Sequence, residues 1–279
     1  MATVLEVTVV AADQDAADRL AEESLRIGER FEDVLTTWRA DGELARLNAH
    51  AGAGAIPISP SLARALGAMR AASAATGGAF DPAVGPIVER LRAGRTTVLA
   101  SELGRYRIAT ALALEDGCAA LVEGAALDAG GIGKGIALDA IASHLREHGA
   151  QAWFIDFGGS SQLAHGTPED GRAAWIVVLA GIERASLHGA VKLGPGALST
   201  SRARSHDDAD GAIVDPRTGK VVEDPRMATV FAGDATAAEA WSTALIVLGR
   251  DGIERAASSG VEVLYEDADG VEETSSFPR

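Results

Sequence analysis

A carboxylate and a hydroxyl stand four residues apart late in the chain, where Glu239 precedes Thr243. In an α-helix this spacing places both side chains on one face. Their oxygens are of the kind that a hard cation such as Mg²⁺ binds, at about 2.0–2.1 Å, with water or phosphate oxygens completing its shell. The pair therefore indicates either half of a metal site or two polar residues on the surface of a helix.

A glycine-rich segment, Gly130 to Gly135, surrounds Lys134 and opens a predicted helix. Backbone N–H groups at such a helix entrance can hold a pyrophosphate. The spacing matches neither the P-loop nor the G-x-G-x-x-G dinucleotide motif. From the residues alone, the segment is either a phosphate site or a flexible helix entrance.

A third patch, Asp215 to Gly219, lies between two apolar runs. Asp-Pro followed by Thr-Gly favours a tight turn, so the sequence predicts a hairpin over residues 211–223. The Asp215 carboxylate serves either this turn alone or a chemical step as well.

The hydrophobic pattern predicts the elements that must position these patches. Helices are predicted over about 13–35, 60–75, 130–148 and 235–248, and strands over 4–10, 152–157, 173–179, 227–232 and 261–266. Ser59 is the predicted N-cap of the second helix. The interleaving of helices, strands and hairpins predicts one layered α+β domain over residues 1–268, followed by a loose C-terminal tail at 269–279.

The composition narrows the class of protein. The chain has 279 residues and a net charge of −15, from 25 basic and 40 acidic residues. Such a surface repels nucleic acids and anionic lipids, so neither partner is expected. Cys118 is the single cysteine, which excludes an internal disulfide. Because the sequence also lacks a signal peptide and an uninterrupted apolar span, the predicted location is the cytoplasm, away from membranes.

Several segments, in the same order, resemble the ApbE family, formerly described as thiamine biosynthesis lipoproteins. Members of this family transfer FMN from FAD to a protein hydroxyl with magnesium. The likeness extends over roughly residues 4 to 250. Beside the three patches above, the segments that carry it are Thr37 to Asn48, Thr76 to Glu89, Phe154 to Gly166 and Gly196 to Ser201. The resemblance implies the family's layered, T-fold-like mixed α/β fold, with a flavin site between two lobes.

The resemblance also implies roles for individual residues. For the metal, it implies the backbone carbonyl of Gly133 and the side chains of Glu239 and Thr243, with glutamate standing where the family has aspartate. The residues implied for FAD binding are Phe80, Asp81, Gly130, Gly131, Lys134, Gly158, Gly159 and Ser201. Trp38, a further candidate for this site, either stacks on a flat ring or packs in the core.

The catalytic residues implied are Asp215 and Thr200, but the family's histidine is absent. Its position, three residues before Asp215, is occupied by Ala212. His206 in the preceding loop either enters the site in its place, as a candidate catalytic residue, or is a solvated loop histidine. Two further departures are Ser160, where the family has aspartate, and Arg202, where it has glycine.

The function expected from this resemblance is FAD:protein FMN transfer. Mg²⁺ clamps the FAD pyrophosphate, a Ser or Thr hydroxyl of a target flavoprotein attacks the FMN phosphorus, and AMP leaves. The substitutions leave two alternatives: a FAD-binding protein with weak or lost transfer, and a FAD pyrophosphatase that gives FMN and AMP.

Overall fold

The computed structural model describes residues 3–93, 107–183, 186–203 and 212–279. His206 lies outside these ranges. The helices within them are α1 (Gln14–Leu35), α2 (Glu43–Ala49), α3 (Pro60–Ala75), α4 (Gly85–Arg92), α5 (Ile108–Ala111), α6 (Gly133–Glu147), α7 (Ala235–Leu248) and α8 (Ile253–Ser258). In this part of the chain, no helix combines the length and the apolar character needed to cross a membrane.

An antiparallel sheet of seven strands forms the central layer. The strands described are β1 (Leu5–Val10), β2 (Ile56–Pro57), β3 (Leu112–Glu115), β4 (Cys118–Leu121), β5 (Ala152–Phe157), β6 (Ser161–His165), β7 (Trp175–Ala180), β8 (Leu187–Leu193), β9 (Gly196–Arg202), β10 (Met227–Ala232), β11 (Glu262–Asp267) and β12 (Gly270–Glu273). The large sheet has the order β1-β5-β6-β9-β10-β11-β12, and smaller sheets are formed by β2-β4-β3 and β7-β8. This arrangement confirms the predicted layered α+β class.

The two faces of the large sheet have different covers. Successive side chains of a strand point to opposite faces. In β5, Ile155 and Phe157 pack into the larger core together with α1, α6 and α7. Phe154 points the other way and stacks on Trp175 of β7, with ring centroids 5.5 Å apart. Helices therefore cover one face, and the β7-β8 hairpin covers the other.

Helix α7 lies in the interior and is buried on nearly every side. A helix that is apolar all round is expected in such a place. Glu239 and Ser242 are polar exceptions, with relative exposures of 2% and 0%. Because a buried polar group is costly without a partner, α7 must meet hydrogen-bonding groups from neighbouring elements.

Two carboxylates fix the start of α7. Asp234 accepts the N–H of Ala237 at 2.7 Å, and Asp139 of α6 accepts those of Ala235 and Thr236 at 2.8 and 2.9 Å. Burial raises the pKa of Asp139, and the hydrogen bonds from Thr236 and Ala235 only partly oppose this effect. The first turn of α7 is thereby tied to the middle of α6.

The C-terminal segment differs from the loose tail expected at 269–279. Residues 270–273 form β12, which pairs antiparallel with β11, and Phe277 is only 6% exposed. Arg250 binds both Asp267 and Glu272, at 2.6 and 2.7 Å. The edge of β11 supplies backbone partners that the polar sequence of the tail does not reveal.

Candidate functional site

The carboxylate of Glu239 lies between α7 and the first turn of α6. Its Oε1 accepts a hydrogen bond from Ser161 Oγ at 2.6 Å and lies 2.5 Å from Lys134 Nζ. Its Oε2 accepts the backbone N–H of Gly135 at 2.8 Å. A buried carboxylate is tolerated when it is paired and hydrogen-bonded. Glu239 has partners of both kinds.

Glu239 also serves the N-terminus of α6. The N-cap residue of that helix, Ile132, supplies no side-chain hydrogen bond. Because Glu239 accepts the Gly135 N–H, it satisfies one of the donors that a helix leaves open in its first turn. Its negative charge also lies at the positive end of the helix dipole. The backbone N–H of Gly135 and the ammonium of Lys134 therefore stabilise the same carboxylate.

Four hydroxyl groups and one carbonyl oxygen meet about one turn further along α7, where Ser242 Oγ also donates to the backbone carbonyl of Glu239 at 3.1 Å. Ser242 Oγ lies 3.1 Å from Ser199 Oγ and 2.8 Å from Ser201 Oγ. Thr243 Oγ1 lies 3.5 Å from Ser201 Oγ and donates to the carbonyl oxygen of Gly131 at 3.4 Å. We call these five groups the oxygen cluster. It joins β9, α7 and the glycine-rich segment.

The glycine-rich segment passes between Thr243 and Phe80. A Cβ atom built on Gly131 would lie 3.1 Å from Thr243 Oγ1 and 3.3 Å from Phe80 Cε2. Gly130 is exposed, and its N–H donates to Asp128 Oδ1 at 2.8 Å. The segment thus presents accessible backbone next to a hydroxyl, as a phosphate site requires.

Trp38 belongs to a segment that is tied to the residues just before the glycines. The amide of Asn48 bonds the carbonyl and the N–H of Leu127 at 2.8 and 2.9 Å, and Thr37 Oγ1 donates to Asp128 Oδ2 at 3.5 Å. The Trp38 side chain is 61% exposed. An exposed indole in this place can stack on a flat ring.

The Asp81 carboxylate is hydrogen-bonded to three separate parts of the chain. Its Oδ2 accepts from Ser73 Oγ at 2.9 Å. Its Oδ1 accepts the N–H groups of Ala83 and Ile108 at 3.0 and 3.1 Å. These three bonds engage both oxygens of the carboxylate that the resemblance assigns to FAD binding.

Gly158 and Gly159 form the tight turn between β5 and β6. Both have positive φ, at +71° and +66°, which glycine adopts without strain. The turn places Ser161 at the start of β6, where its hydroxyl reaches Glu239. It also brings the Ser160 carbonyl to the N–H of Thr200 at 2.8 Å. The glycines predicted to contact FAD therefore shape the β5-β6 hairpin beside the oxygen cluster.

The structure does not bring Thr200 into the oxygen cluster. Its neighbours Ser199 and Ser201 point to α7, so the alternation of β9 directs Thr200 to the opposite face. There its Oγ1 lies 2.9 Å from Thr229 Oγ1 on β10. The strand that the resemblance identifies is present, but the hydroxyls beside α7 are those flanking Thr200.

Asp215 is bound to Arg217. Its Oδ1 accepts from the backbone N–H and from Nε of Arg217 at 2.8 and 2.9 Å, and its Oδ2 accepts from Nη2 at 3.0 Å. Burial acts to raise the pKa of this carboxyl, but the hydrogen bonds and charge of Arg217 outweigh it, so that the pKa lies below its ordinary value. A bridge between Val214 and Val221 closes the predicted hairpin.

The oxygen donors suit a hard cation in type, and the carboxylate among them is already paired. Thr243 Oγ1 has the Gly131 carbonyl and the Ser201 hydroxyl within 3.5 Å, and such neutral oxygens are ligands that Mg²⁺ accepts. Gly133, the predicted carbonyl ligand, begins α6 and donates its own N–H to Ala129. No group of three or more His, Cys, Asp or Glu side chains suited to a metal occurs in the described ranges. A cation here would therefore need Glu239 to be released from Lys134.

Four residues of this region were not predicted from the sequence: Ser161, Ser199, Ser242 and the N–H of Gly135. The signal for Ser199 was available, because residues two apart in a strand share a face with one another. Ser242 lies next to Thr243 in the predicted helix over 235–248, which the structure buries. Nothing in the sequence around Ser161 indicates a partner on α7.

Comparison with known proteins places this geometry in a family. The model of the ApbE family matches residues 1–265. A FAD:protein FMN transferase of Vibrio cholerae serotype O1 is 27% identical over 269 residues, covering 90% of this chain and 78% of the relative. The solved structure of the flavin transferase ApbE from Vibrio cholerae superposes with a TM-score of 0.81 at 23% identity, over 98% of this chain and 94% of that one. The ApbE protein of Thermotoga maritima gives a TM-score of 0.82 at 22% identity, over 97% and 94%. At these identities the two structures show the shared fold.

Proposed function

The chain belongs to the ApbE family, and we propose that it is a FAD:protein FMN transferase. In this proposal it moves FMN from FAD onto a Ser or Thr hydroxyl of a target flavoprotein. The observation that carries the proposal is the contact of the glycine-rich segment with Thr243 of α7 and, through it, with Ser201 of β9. The function named for relatives in Vibrio cholerae and Klebsiella pneumoniae supports it.

FAD binding is proposed along the path from Trp38 to the oxygen cluster. The exposed Trp38 indole supplies a face for the isoalloxazine ring. The accessible backbone of Gly130 and Gly131 suits the pyrophosphate. Phe80, like Thr243, lies next to Gly131. Because the chain has a net charge of −15, an anionic substrate must be held by local groups of this kind.

The proposed reaction breaks the phosphoanhydride bond of FAD and forms a phosphoester bond to the acceptor. The acceptor oxygen forms a bond to the FMN phosphorus, the bond between that phosphorus and the bridging oxygen breaks, and AMP leaves with that oxygen. The acceptor hydroxyl loses its proton to a base. Reactions of this type depend mainly on positioning and charge stabilisation.

Mg²⁺ is the cation that we propose for the site, held by Thr243, by a carbonyl of the glycine-rich segment and by Glu239. When bound, it would neutralise charge on the pyrophosphate. The chain's own residues orient the substrate: α7 fixes Thr243 and Glu239 on one face, and β9 supplies Ser201 beside them.

The proposed base is His206, with Asp215 as the other candidate. Asp215 is a poor base, because Arg217 binds both of its oxygens and its pKa is lowered. The alanine at position 212 favours a second candidate function, a FAD-binding protein with weak or lost transfer. Hydrolysis of FAD to FMN and AMP is the outcome if water replaces the protein hydroxyl.

One incubation tests these proposals. The purified protein is mixed with FAD and Mg²⁺, with and without a domain that presents an acceptor Ser or Thr, and AMP and covalent flavin are measured. We expect AMP and covalent flavin together, only with the acceptor. AMP without covalent flavin would identify a pyrophosphatase. Bound FAD without either product would identify a binding protein, and no FAD binding would overturn the proposal.

A further inference from the structure

The ion pair between Lys134 and Glu239 occupies the carboxylate that a metal would need. Lys134 Nζ lies 2.5 Å from Glu239 Oε1, and the glutamate side chain is 3% exposed. The same oxygen accepts from Ser161, and the other oxygen accepts from the Gly135 N–H. The carboxylate is thus already neutralised and hydrogen-bonded by the protein.

Building on the proposed function, we propose that Lys134 is an internal counter-cation that keeps Glu239 from a divalent ion until the FAD pyrophosphate draws the ammonium away. A divalent ion that joined the intact pair would place two further positive charges beside the ammonium in a buried region. Repulsion between like charges is strong where water is excluded. Without FAD, the protein should therefore bind divalent ions weakly.

The position of Lys134 suits the exchange. It follows directly on the glycines proposed to hold the pyrophosphate, and its side chain remains 20% exposed. A lysine carries its charge on a flexible stem with three donors, so it can turn from the carboxylate to a phosphate oxygen. The hydrogen bonds from Ser161 and Gly135 remain to hold Glu239 in place. Binding of the divalent ion and binding of FAD are then coupled. By linkage, each ligand increases the affinity for the other by the same factor.

The test measures Mn²⁺ binding, by the electron paramagnetic resonance signal of free Mn²⁺, with and without saturating ADP, after subtraction of the Mn²⁺ that ADP binds in samples without protein. ADP carries a pyrophosphate but no FMN to transfer. In the native protein we expect ADP to tighten Mn²⁺ binding by about 10-fold or more. Lys134→Met should bind Mn²⁺ about 10-fold more tightly than the native protein without ADP, and the effect of ADP should shrink by the same factor.

Lys192→Met serves as the matched control, because it removes the same charge from an exposed position on β8. It should retain the native difference between Mn²⁺ binding with and without ADP. Lys134→Arg, which keeps the charge, should retain weak Mn²⁺ binding in the absence of ADP.

Either of two results would overturn the inference. One is unchanged Mn²⁺ affinity in folded Lys134→Met. The other needs no variant: an effect of ADP below about 3-fold in the native protein, or no Mn²⁺ binding at all. If the native protein also forms covalent flavin, the proposed function stands and only this inference fails. Absence of FAD binding would overturn the proposed function itself.

Discussion

Gly135 and Ala235 set the distance between α6 and α7. A Cβ atom on Gly135 would lie 2.4 Å from the carbonyl oxygen of Ala235, closer than two such atoms can stand without a shift of the backbone. The close approach brings the Gly135 N–H to Glu239. The glycine is therefore needed for the packing of α6 against α7.

Replacing Gly135 by alanine should destabilise the fold by about 1–3 kcal/mol, because a close-packed contact cannot absorb a methyl group. Urea unfolding measures the change. Gly67 in α3 is the matched control, since a Cβ there has nothing within 4 Å, and Gly67→Ala should stabilise its helix by up to about 1 kcal/mol. Equal stability of Gly135→Ala and the native protein would mean that the two helices separate easily.

Asp215 should make stability depend on pH in acid. Its folded pKa is lowered by Arg217, and this outweighs the effect of burial. Its contribution is therefore complete above the unfolded value of about 3.9 and is lost as the pH falls toward the folded value. The difference in unfolding free energy between the native protein and Asp215→Asn should stay constant from pH 7 to about 5 and shrink below about 4.

Asp139 provides a comparison of opposite sign. Burial raises its pKa, so the folded state binds its proton more tightly than the unfolded chain does. The native protein should lose stability relative to Asp139→Asn as the pH rises from about 4 through the raised pKa. If the difference in unfolding free energy changed with pH in the same direction for both variants, the pKa direction given for one of the two carboxylates would be wrong.

Thr243 and Thr200 should differ in their effect on FAD binding. Thr243 contacts the glycine-rich segment, whereas Thr200 faces Thr229 on the other side of the sheet. Thr243→Val is expected to weaken Mn²⁺ and FAD binding about 10-fold, measured by calorimetry. Thr200→Val should cost about 1 kcal/mol of stability through the lost hydroxyl pair and leave FAD affinity unchanged. The reverse outcome would support the role that the family resemblance gives to Thr200.

Ala212→His should accelerate transfer. A hydroxyl is a weak nucleophile at neutral pH, and a well-placed base contributes about 10²–10⁴-fold. Single-turnover formation of covalent flavin on an acceptor domain measures the rate, and Ala212→Gln controls for size and polarity. Rapid transfer by the native protein, unchanged in Ala212→His and lost in His206→Ala, would identify His206 as the base.

The sequence predicted those elements whose signals are local. Ser59 caps α3 as expected, and α1 follows Asp13, inside the predicted range. It did not predict β8 or β12, because an edge strand owes its pairing to a neighbour as much as to its own pattern. Strand alternation was the signal missed in β9, where Ser199 and Ser201 share a face and Thr200 does not.

For the candidate site, the i, i+4 spacing predicted that Glu239 and Thr243 lie on one face of a helix, and both belong to α7. The spacing could not predict that the Glu239 carboxylate is paired with Lys134 and hydrogen-bonded by the protein. Glu239 is contacted by residues from distant points of the chain: Lys134, Gly135 and Ser161. The separations of 78 residues for Ser161 and 104 residues for Gly135 are too long to appear as a periodic pattern in the sequence. Contacts of this kind follow from the fold alone.

The strand order has a consequence for the time at which the pocket exists during synthesis. β1 can pair only after β5, near the middle of the chain, has been synthesised. In the same way, the pairing of β6 with β9 requires β9. The oxygen cluster needs α7 as well, so a growing chain has no competent pocket until Thr243 has left the ribosome. Long-range pairings of this kind form slowly. The proposed FAD site therefore exists only in the finished domain, and a nascent or truncated chain that ends before α7 lacks it.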